Sequence, residues 1–134
     1  MRKGLVAAML LLCLVLSACG AKPDGGARVL LDGAEWDKKP LSPEVKSPRV
    51  YITLDGKDLI DLPFAEPHDV TILQDDGSEN AVKITGEAVY MDHANCENQD
   101  CVNMGQVTLD NLELRVMGGF VICLPHKVSV EVRE

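Results

Sequence analysis

Apolar and polar side chains alternate along most of the chain after residue 48. Val50, Ile52 and Leu54 are separated by less apolar residues, and the C-terminal stretch V-S-V-E-V at 128–132 repeats the same period of two. This period is typical of a β-strand that buries one face. The pattern predicts short strands at residues 50–54, 59–62, 70–72, 82–84, 89–91, 105–109, 112–116, 120–123 and 128–132.

Turn-forming residues separate these stretches. Asp55-Gly56 and Asp75-Asp76-Gly77 each stand between two apolar stretches. Turn residues recur about every 8–12 positions, a spacing typical of all-β domains. The predicted fold is therefore all-β, a small barrel or sandwich of short antiparallel strands.

One short helical turn is predicted near Cys101. Asn98 or Asp100 can serve as its N-cap, because their side chains accept hydrogen bonds from free backbone N–H groups. Gly105 can end the turn, since glycine adopts the left-handed conformation that often follows a helix.

The N-terminus is typical of an export signal. Arg2 and Lys3 precede an apolar run at residues 5–16, which is shorter than the roughly 20 residues that a membrane helix needs. The run leads into Leu16-Ser17-Ala18-Cys19, which resembles the lipobox of bacterial lipoproteins. The resemblance implies a signal peptide at residues 1–18, a lipidated Cys19 and attachment to the extracytoplasmic face of the cell membrane.

Residues 19–47 are predicted to be the lipidated cysteine and a flexible tether, and residues 48–134 the folded domain. Glycines and prolines interrupt the tether, and a flexible segment of this length spans on the order of 30 Å. The stretch Arg28-Val29-Leu30-Leu31, with its three apolar residues, and Trp36, the single tryptophan, leave two further readings open. These residues can dock on the domain, or they can contact a partner.

The charge argues against one class of partner. The whole chain has a net charge of −8. Removal of residues 1–18 takes away Arg2 and Lys3, so the mature chain has 11 basic and 21 acidic residues and a net charge of −10. Such a surface repels phosphate backbones, so no nucleic-acid partner is expected. Solubility explains most of this charge.

Three cysteines remain after Cys13 in the signal and Cys19 are set aside. They are Cys96, Cys101 and Cys123. An exported protein favours disulfides, and three cysteines allow three single pairings, each of which leaves one thiol. Cys96–Cys101 is slightly favoured because the short loop keeps the two thiols close before folding, but the sequence does not choose between the pairings.

A metal site is a sharper alternative. His93-x2-Cys96-x4-Cys101 and Cys123-x2-His126 offer five donors, and zinc takes four cysteine and histidine ligands in a tetrahedron. Iron–sulfur centres of the Rieske type also mix these residues, but the Cys-x-His half of their usual pattern is absent. The cysteines can also pack as small apolar side chains.

A redox thiol is the remaining interpretation. Cys101 lies near the start of the predicted helical turn, where the helix dipole favours a thiolate. Asp92, Glu97 and Asp100 lie nearby in sequence, and negative charge raises a thiol pKa. The sequence therefore gives opposing indications for thiol chemistry.

Four segments of the predicted domain form a recognisable set. They are Val50-Tyr51-Ile52 with Asp55-Gly56, Cys96-x4-Cys101-Val102-x-Met104-Gly105, Val121-Ile122-Cys123-Leu124-Pro125-His126, and the final strand at 128–132. The stretch 49–133 that contains them resembles the NusG domain II family, and most closely its stand-alone exported lipoprotein form. The resemblance implies a compact all-β fold, and the family has no assigned enzymatic activity. Some members are encoded near flavin-dependent electron-transfer components of the membrane.

The sequence thus predicts a membrane-anchored lipoprotein that acts as a non-enzymatic binding or accessory component of a membrane or envelope complex. No catalytic residue and no cofactor are predicted. The alternative is a redox or metal-binding accessory, for example to flavin-dependent electron transfer. It would use Cys96, Cys101 and Cys123, with zinc or iron as the metal and His126 or His93 as further ligands.

Overall fold

The computed structural model describes residues 26–37 and 48–134. The predicted signal peptide, the lipidation site Cys19 and the tether positions 20–25 and 38–47 lie outside the described residues. Within the described ranges, no helix is long and apolar enough to cross a membrane.

The described residues form nine strands, one short helix and one 3₁₀ turn. The strands are β1 (Ala27–Leu31), β2 (Ala34–Glu35), β3 (Arg49–Leu54), β4 (Lys57–Pro63), β5 (His68–Gln74), β6 (Glu79–Ile84), β7 (Val89–Ala94), β8 (Phe120–Cys123) and β9 (Val128–Arg133). Helix α1 is Asp100–Asn103, and the 3₁₀ turn is Leu109–Asn111.

The strands pair into two antiparallel sheets. Sheet A has the order β2-β1-β5-β6-β7, and sheet B has the order β4-β3-β9-β8. Buried side chains of both sheets belong to one apolar core. The all-β prediction is therefore confirmed, and of its two forms the sandwich is the one observed, because the described strands do not close into a barrel.

The central strands of sheet B follow the alternating pattern closely. Ile52 of β3 lies opposite Val130 of β9, and Val50 lies opposite Val132. All four side chains are buried. Burial of each contributes about 1.5–3 kcal/mol, so a slip of one residue would turn this whole apolar face towards water.

The turn predicted at Asp55-Gly56 joins β3 to β4. Leu54 pairs with Lys57, so the loop has two residues, and their φ angles are 50° and 77°. Positive φ at both positions is the type I′ geometry that suits the twist of a hairpin. The turn prediction is confirmed here and at residues 75–77, which join β5 to β6.

Two predicted strands, at residues 105–109 and 112–116, are wrong. Val107 makes an isolated bridge with Val89, and the chain then enters the 3₁₀ turn. The side chain of Asn111 accepts a hydrogen bond from the Thr108 N–H at 3.0 Å. Because side chains satisfy the backbone of this segment locally, the alternation of apolar residues does not lead to strand pairing.

Of the readings left open for the apolar part of the tether, docking on the domain is the one observed for residues 27–36. β1 pairs with β5 over five residue pairs, Val29 is buried, and Trp36 packs against the core. The Trp36 N–H donates to the Val29 carbonyl at 2.8 Å. The apolar side chains of this segment outweigh its turn residues, and the domain therefore begins near Gly26 rather than near residue 48.

Candidate functional site

Three cysteine side chains meet between the two sheets. Cys96 follows β7, Cys101 lies in α1 and Cys123 ends β8. Their sulfur atoms all lie within 4.8 Å of one another, and each side chain is at most 5% exposed. We call these three residues the thiol cluster.

Gln99 positions the chain around the cluster. Its backbone is left-handed, with φ 54°, and it is the N-cap residue of α1. Its side-chain amide donates to the carbonyls of Ala94 at 2.7 Å and Cys96 at 2.5 Å. This one side chain therefore fixes the loop between β7 and α1, and with it the spacing of Cys96 and Cys101.

The helical turn is confirmed, and Gly105 follows its C-cap Met104 with a left-handed φ of 72°, but the two predicted N-cap residues are wrong. The N-cap is Gln99, and it makes no side-chain capping hydrogen bond. The Asn98 side chain donates to the Asp100 carboxylate at 2.8 Å and accepts from the Asp100 N–H at 3.4 Å, because the left-handed bend at Gln99 brings Asn98 and Asp100 together.

No disulfide is formed among the described cysteines, so the disulfide prediction is not met. All three are free thiols, and the sulfurs of Cys96 and Cys101 are 3.7 Å apart. A disulfide requires about 2.05 Å. The slightly favoured pair Cys96–Cys101 is therefore in non-bonded contact, and the thiols pack as small apolar groups.

Burial dominates the acidity of the cluster. The pKa of Cys101 is raised to about 12, chiefly because burial penalises its thiolate, and further because the Cys123 and Cys96 thiols lie beside it. The helix dipole expected to favour a thiolate does not prevail, since α1 has only four residues. A metal-free Cys101 is a poor nucleophile at neutral pH.

The histidines predicted as ligands are not part of the cluster. Within the described chain, the group of close metal-ligating atoms consists of the three sulfurs. His93 is exposed on β7. His126 is buried, and its Nδ1 lies 2.8 Å from the Asn80 side-chain oxygen. His126 does line a small open pocket together with Cys96.

Sequence reasoning missed Asn80. It is fully buried, and its amide also contacts the Met91 sulfur at 3.5 Å. A signal for it exists, since Asn80 stands two residues before Val82 and four before Ile84, in the phase that faces the core. A polar residue in that phase predicts a buried hydrogen-bond partner.

Sequence reasoning also missed Arg115, which lies at the other end of the sandwich. Its guanidinium donates to four backbone carbonyls, those of Met104, Gln106, Gly118 and Phe120, at 2.9–3.2 Å. These bonds order the segment at residues 109–117. Leu109, Leu114, Val116 and Met117 of this segment are exposed, and we call the segment the apolar loop.

These features define a class: a small two-sheet β domain with a buried thiol cluster near one end and an exposed apolar loop at the other. The chain belongs to the NusG domain II family, whose model matches residues 5–134. The family prediction is thereby confirmed. No curated protein of similar sequence is found.

Two solved structures are similar to this chain. The Lin0431 protein from Listeria innocua is 25% identical, with a TM-score of 0.56, over 66% of this chain and 98% of that one. The DUF1312 family protein EF3258 from Enterococcus faecalis is 18% identical, also with a TM-score of 0.56, over 65% of this chain and 97% of that one. The second similarity shows the shared fold alone.

Proposed function

We propose that this protein is a membrane-anchored lipoprotein whose domain is a non-enzymatic binding or accessory component of a membrane or envelope complex. The sequence Leu16-Ser17-Ala18-Cys19 supports the anchor. The exposure of the apolar loop carries the binding role.

The apolar loop presents large apolar side chains to solvent on an ordered backbone. Leu114 is 84% exposed and Val116 is fully exposed, although Arg115 between them is tied to four carbonyls. Apolar side chains clustered in this way favour contact with another molecule. A preordered loop also loses less conformational entropy when it binds.

The position of the loop favours a protein rather than the bilayer as its partner. The Gly26 carbonyl accepts a hydrogen bond from the Asp75 N–H. The neighbouring Gln74 side-chain amide donates to the carbonyl of His126 in the β8–β9 turn. Gly26 therefore lies at the end of the sandwich that carries this turn. The Gly119 carbonyl accepts from the Val132 N–H, so the apolar loop adjoins the opposite end, roughly 20 Å away along β9.

A lipidated Cys19 would stand seven residues before Gly26. That stretch reaches at most about 25 Å when fully extended. The Gly26 end of the domain is then the end nearer the membrane, and the apolar loop faces away from it, towards another protein of the envelope.

Site-specific photocrosslinking tests the binding role. A photoreactive residue at position 116 should yield a discrete adduct with a protein in cells that naturally contain this chain. Position 124 is the matched control, because Leu124 is 78% exposed but lies in the β8–β9 turn at the Gly26 end. Adducts with lipid alone, or the same adducts from both positions, would contradict the proposal.

Fatty-acid labelling tests the anchor. The Cys19→Ser variant should lose a metabolically incorporated alkyne fatty acid and leave the membrane fraction. Cys13→Ser is the control and should keep the label, because Cys13 lies within the predicted signal peptide. Label retained by Cys19→Ser would contradict lipidation at that residue.

The thiol cluster favours a second candidate, a redox or metal-binding accessory. Its support is the meeting of three sulfurs within 4.8 Å. The Cys101→Ser variant separates the two candidates. A binding module should keep its position-116 adduct with altered stability, whereas a thiol-dependent accessory should lose electron or thiol exchange while it remains folded.

A further inference from the structure

The thiol cluster has the donor atoms and the spacing of a metal site. We propose that Cys96, Cys101 and Cys123 together bind one zinc ion as thiolates. This inference does not depend on the binding role assigned to the apolar loop.

The distances between the sulfurs fit a single ion. Two sulfurs bound to one tetrahedral zinc at about 2.3 Å are roughly 3.8 Å apart. Cys96 and Cys101 are already 3.7 Å apart, and all three sulfurs lie within 4.8 Å. Movements of less than about 1 Å would therefore bring the third sulfur to the same spacing.

The surroundings favour metal-bound sulfur. The Gln99 side-chain nitrogen lies 3.8 Å from the Cys96 sulfur. Its two hydrogens are donated to the Ala94 and Cys96 carbonyls, but the positive end of the amide dipole still lies beside the sulfur and stabilises its negative charge. Cys96 also lines the small open pocket, so the Cys96 side of the cluster adjoins solvent, from which a water molecule would complete a tetrahedral ion.

The charge of the site and the soft character of its sulfur donors favour zinc over other metal ions. Three thiolates with a divalent ion leave a net charge of −1 in a buried site, whereas a monovalent copper ion would leave −2, and burial penalises the larger charge. Calcium and magnesium prefer oxygen donors. Zinc binds more tightly than ferrous iron in the general order of divalent metals.

Such an ion would join three separate parts of the fold. It would link the end of β7, helix α1 and the end of β8, so the short helix would be attached to both sheets. A disulfide would join only two of these parts and would leave one thiol free.

Metal reconstitution tests the proposal. The full chain is purified in detergent in the presence of a thiol reductant and a chelator. Both reagents are then removed, and the protein is titrated with Zn²⁺ or Co²⁺ alone. Native mass spectrometry should show one zinc per chain. The three thiols should react with an alkylating agent at least roughly tenfold more slowly than in the metal-free folded protein.

Cobalt gives a readout that does not depend on any variant. The wild-type Co²⁺ form should show thiolate-to-cobalt charge-transfer absorption, which carboxylate ligands do not produce. Cys101→Ser should weaken zinc binding at least roughly tenfold, and His93→Gln should leave it unchanged because His93 is exposed on β7. No charge-transfer band, zinc bound without thiol protection, or an equal loss in His93→Gln would overturn the proposal.

Discussion

Asn80 and His126 are polar side chains in an interior made mostly of apolar ones. The His126 Nδ1 atom and the Asn80 side-chain oxygen lie 2.8 Å apart. They form a hydrogen bond between the two sheets. A buried polar group without a partner costs about 1–3 kcal/mol. The pair therefore links β6 to the β8–β9 turn without that cost. The residue types alone predicted a metal ligand at His126 and no role for Asn80.

Removal of Asn80 should destabilise the protein. Asn80→Ala leaves His126 Nδ1 without its partner, so the free energy of unfolding should fall by about 1–3 kcal/mol. Denaturant unfolding measures this change. Asn103→Ala is the control, since Asn103 is exposed, and it should change stability by less than about 0.5 kcal/mol. Equal effects in the two variants would contradict the role given to Asn80.

The acidity of Cys101 predicts a loss of stability in alkaline solution. Its folded pKa is about 12, against an ordinary value of 9.0. Between these values the unfolded chain releases the thiol proton and the folded chain keeps it, so rising pH favours unfolding. The slope should be at most about 1.4 kcal/mol per pH unit, the linkage value for one proton.

Denaturant unfolding of reduced, metal-free protein at several pH values measures this slope. Cys101→Ala is the comparison, and its stability should fall less steeply above about pH 9. Parallel curves for the two proteins would show that Cys101 titrates normally in the fold.

At the scale of elements, the segment between α1 and β8 shows where patterning misleads. Leu112, Leu114 and Val116 alternate as they would in a strand, and a strand was predicted there. Arg115 instead uses its guanidinium to bind four carbonyls. A contact of this kind depends on how the loop returns to β8, and apolar periodicity carries no information about it.

Arg115→Lys should loosen the apolar loop selectively. A lysine ammonium keeps the charge. It lacks the planar array of N–H donors with which the guanidinium binds several carbonyls at once. Hydrogen exchange at residues 105–119 should accelerate at least roughly tenfold, with little change in β3 and β9. Arg28→Lys, on exposed β1 surface, should leave these rates unchanged. Unaltered exchange in Arg115→Lys would show that the loop is ordered by other contacts.

Sheet B could be predicted well from the sequence, and sheet A only in part. β3, β4, β8 and β9 combine clear alternation with turn signals, and β5, β6 and β7 were also expected. β1 was missed because its residues stand among glycines and prolines and pair with β5, some 40 positions later. The convergence of the cysteines could be suspected from the sequence, but their distances and the exclusion of both histidines required the fold.

Truncation tests the extent of the domain. A chain that begins at residue 48 lacks β1 and β2, which leaves the N–H and C=O groups at the edge of β5 unpaired and removes the buried Val29. Its free energy of unfolding should be lower than that of a chain beginning at residue 26 by at least about 2 kcal/mol. Denaturant unfolding of the two chains, with light scattering for aggregation, makes the comparison. Equal stability would restore residues 27–36 to the tether.

The pairing of β1 with β5 has a mechanical consequence. Gly26 leads directly into β1, and the strand runs from that end of the sandwich towards the other. Suppose that a force pulls on the N-terminal side while a partner holds the apolar loop in place. That force would act along the axis of β1. Tension in that direction shears the five residue pairs of β1 and β5 together instead of peeling them apart one at a time. If the proposed anchor and partner are both present, the N-terminal strand would let the domain resist tension between them.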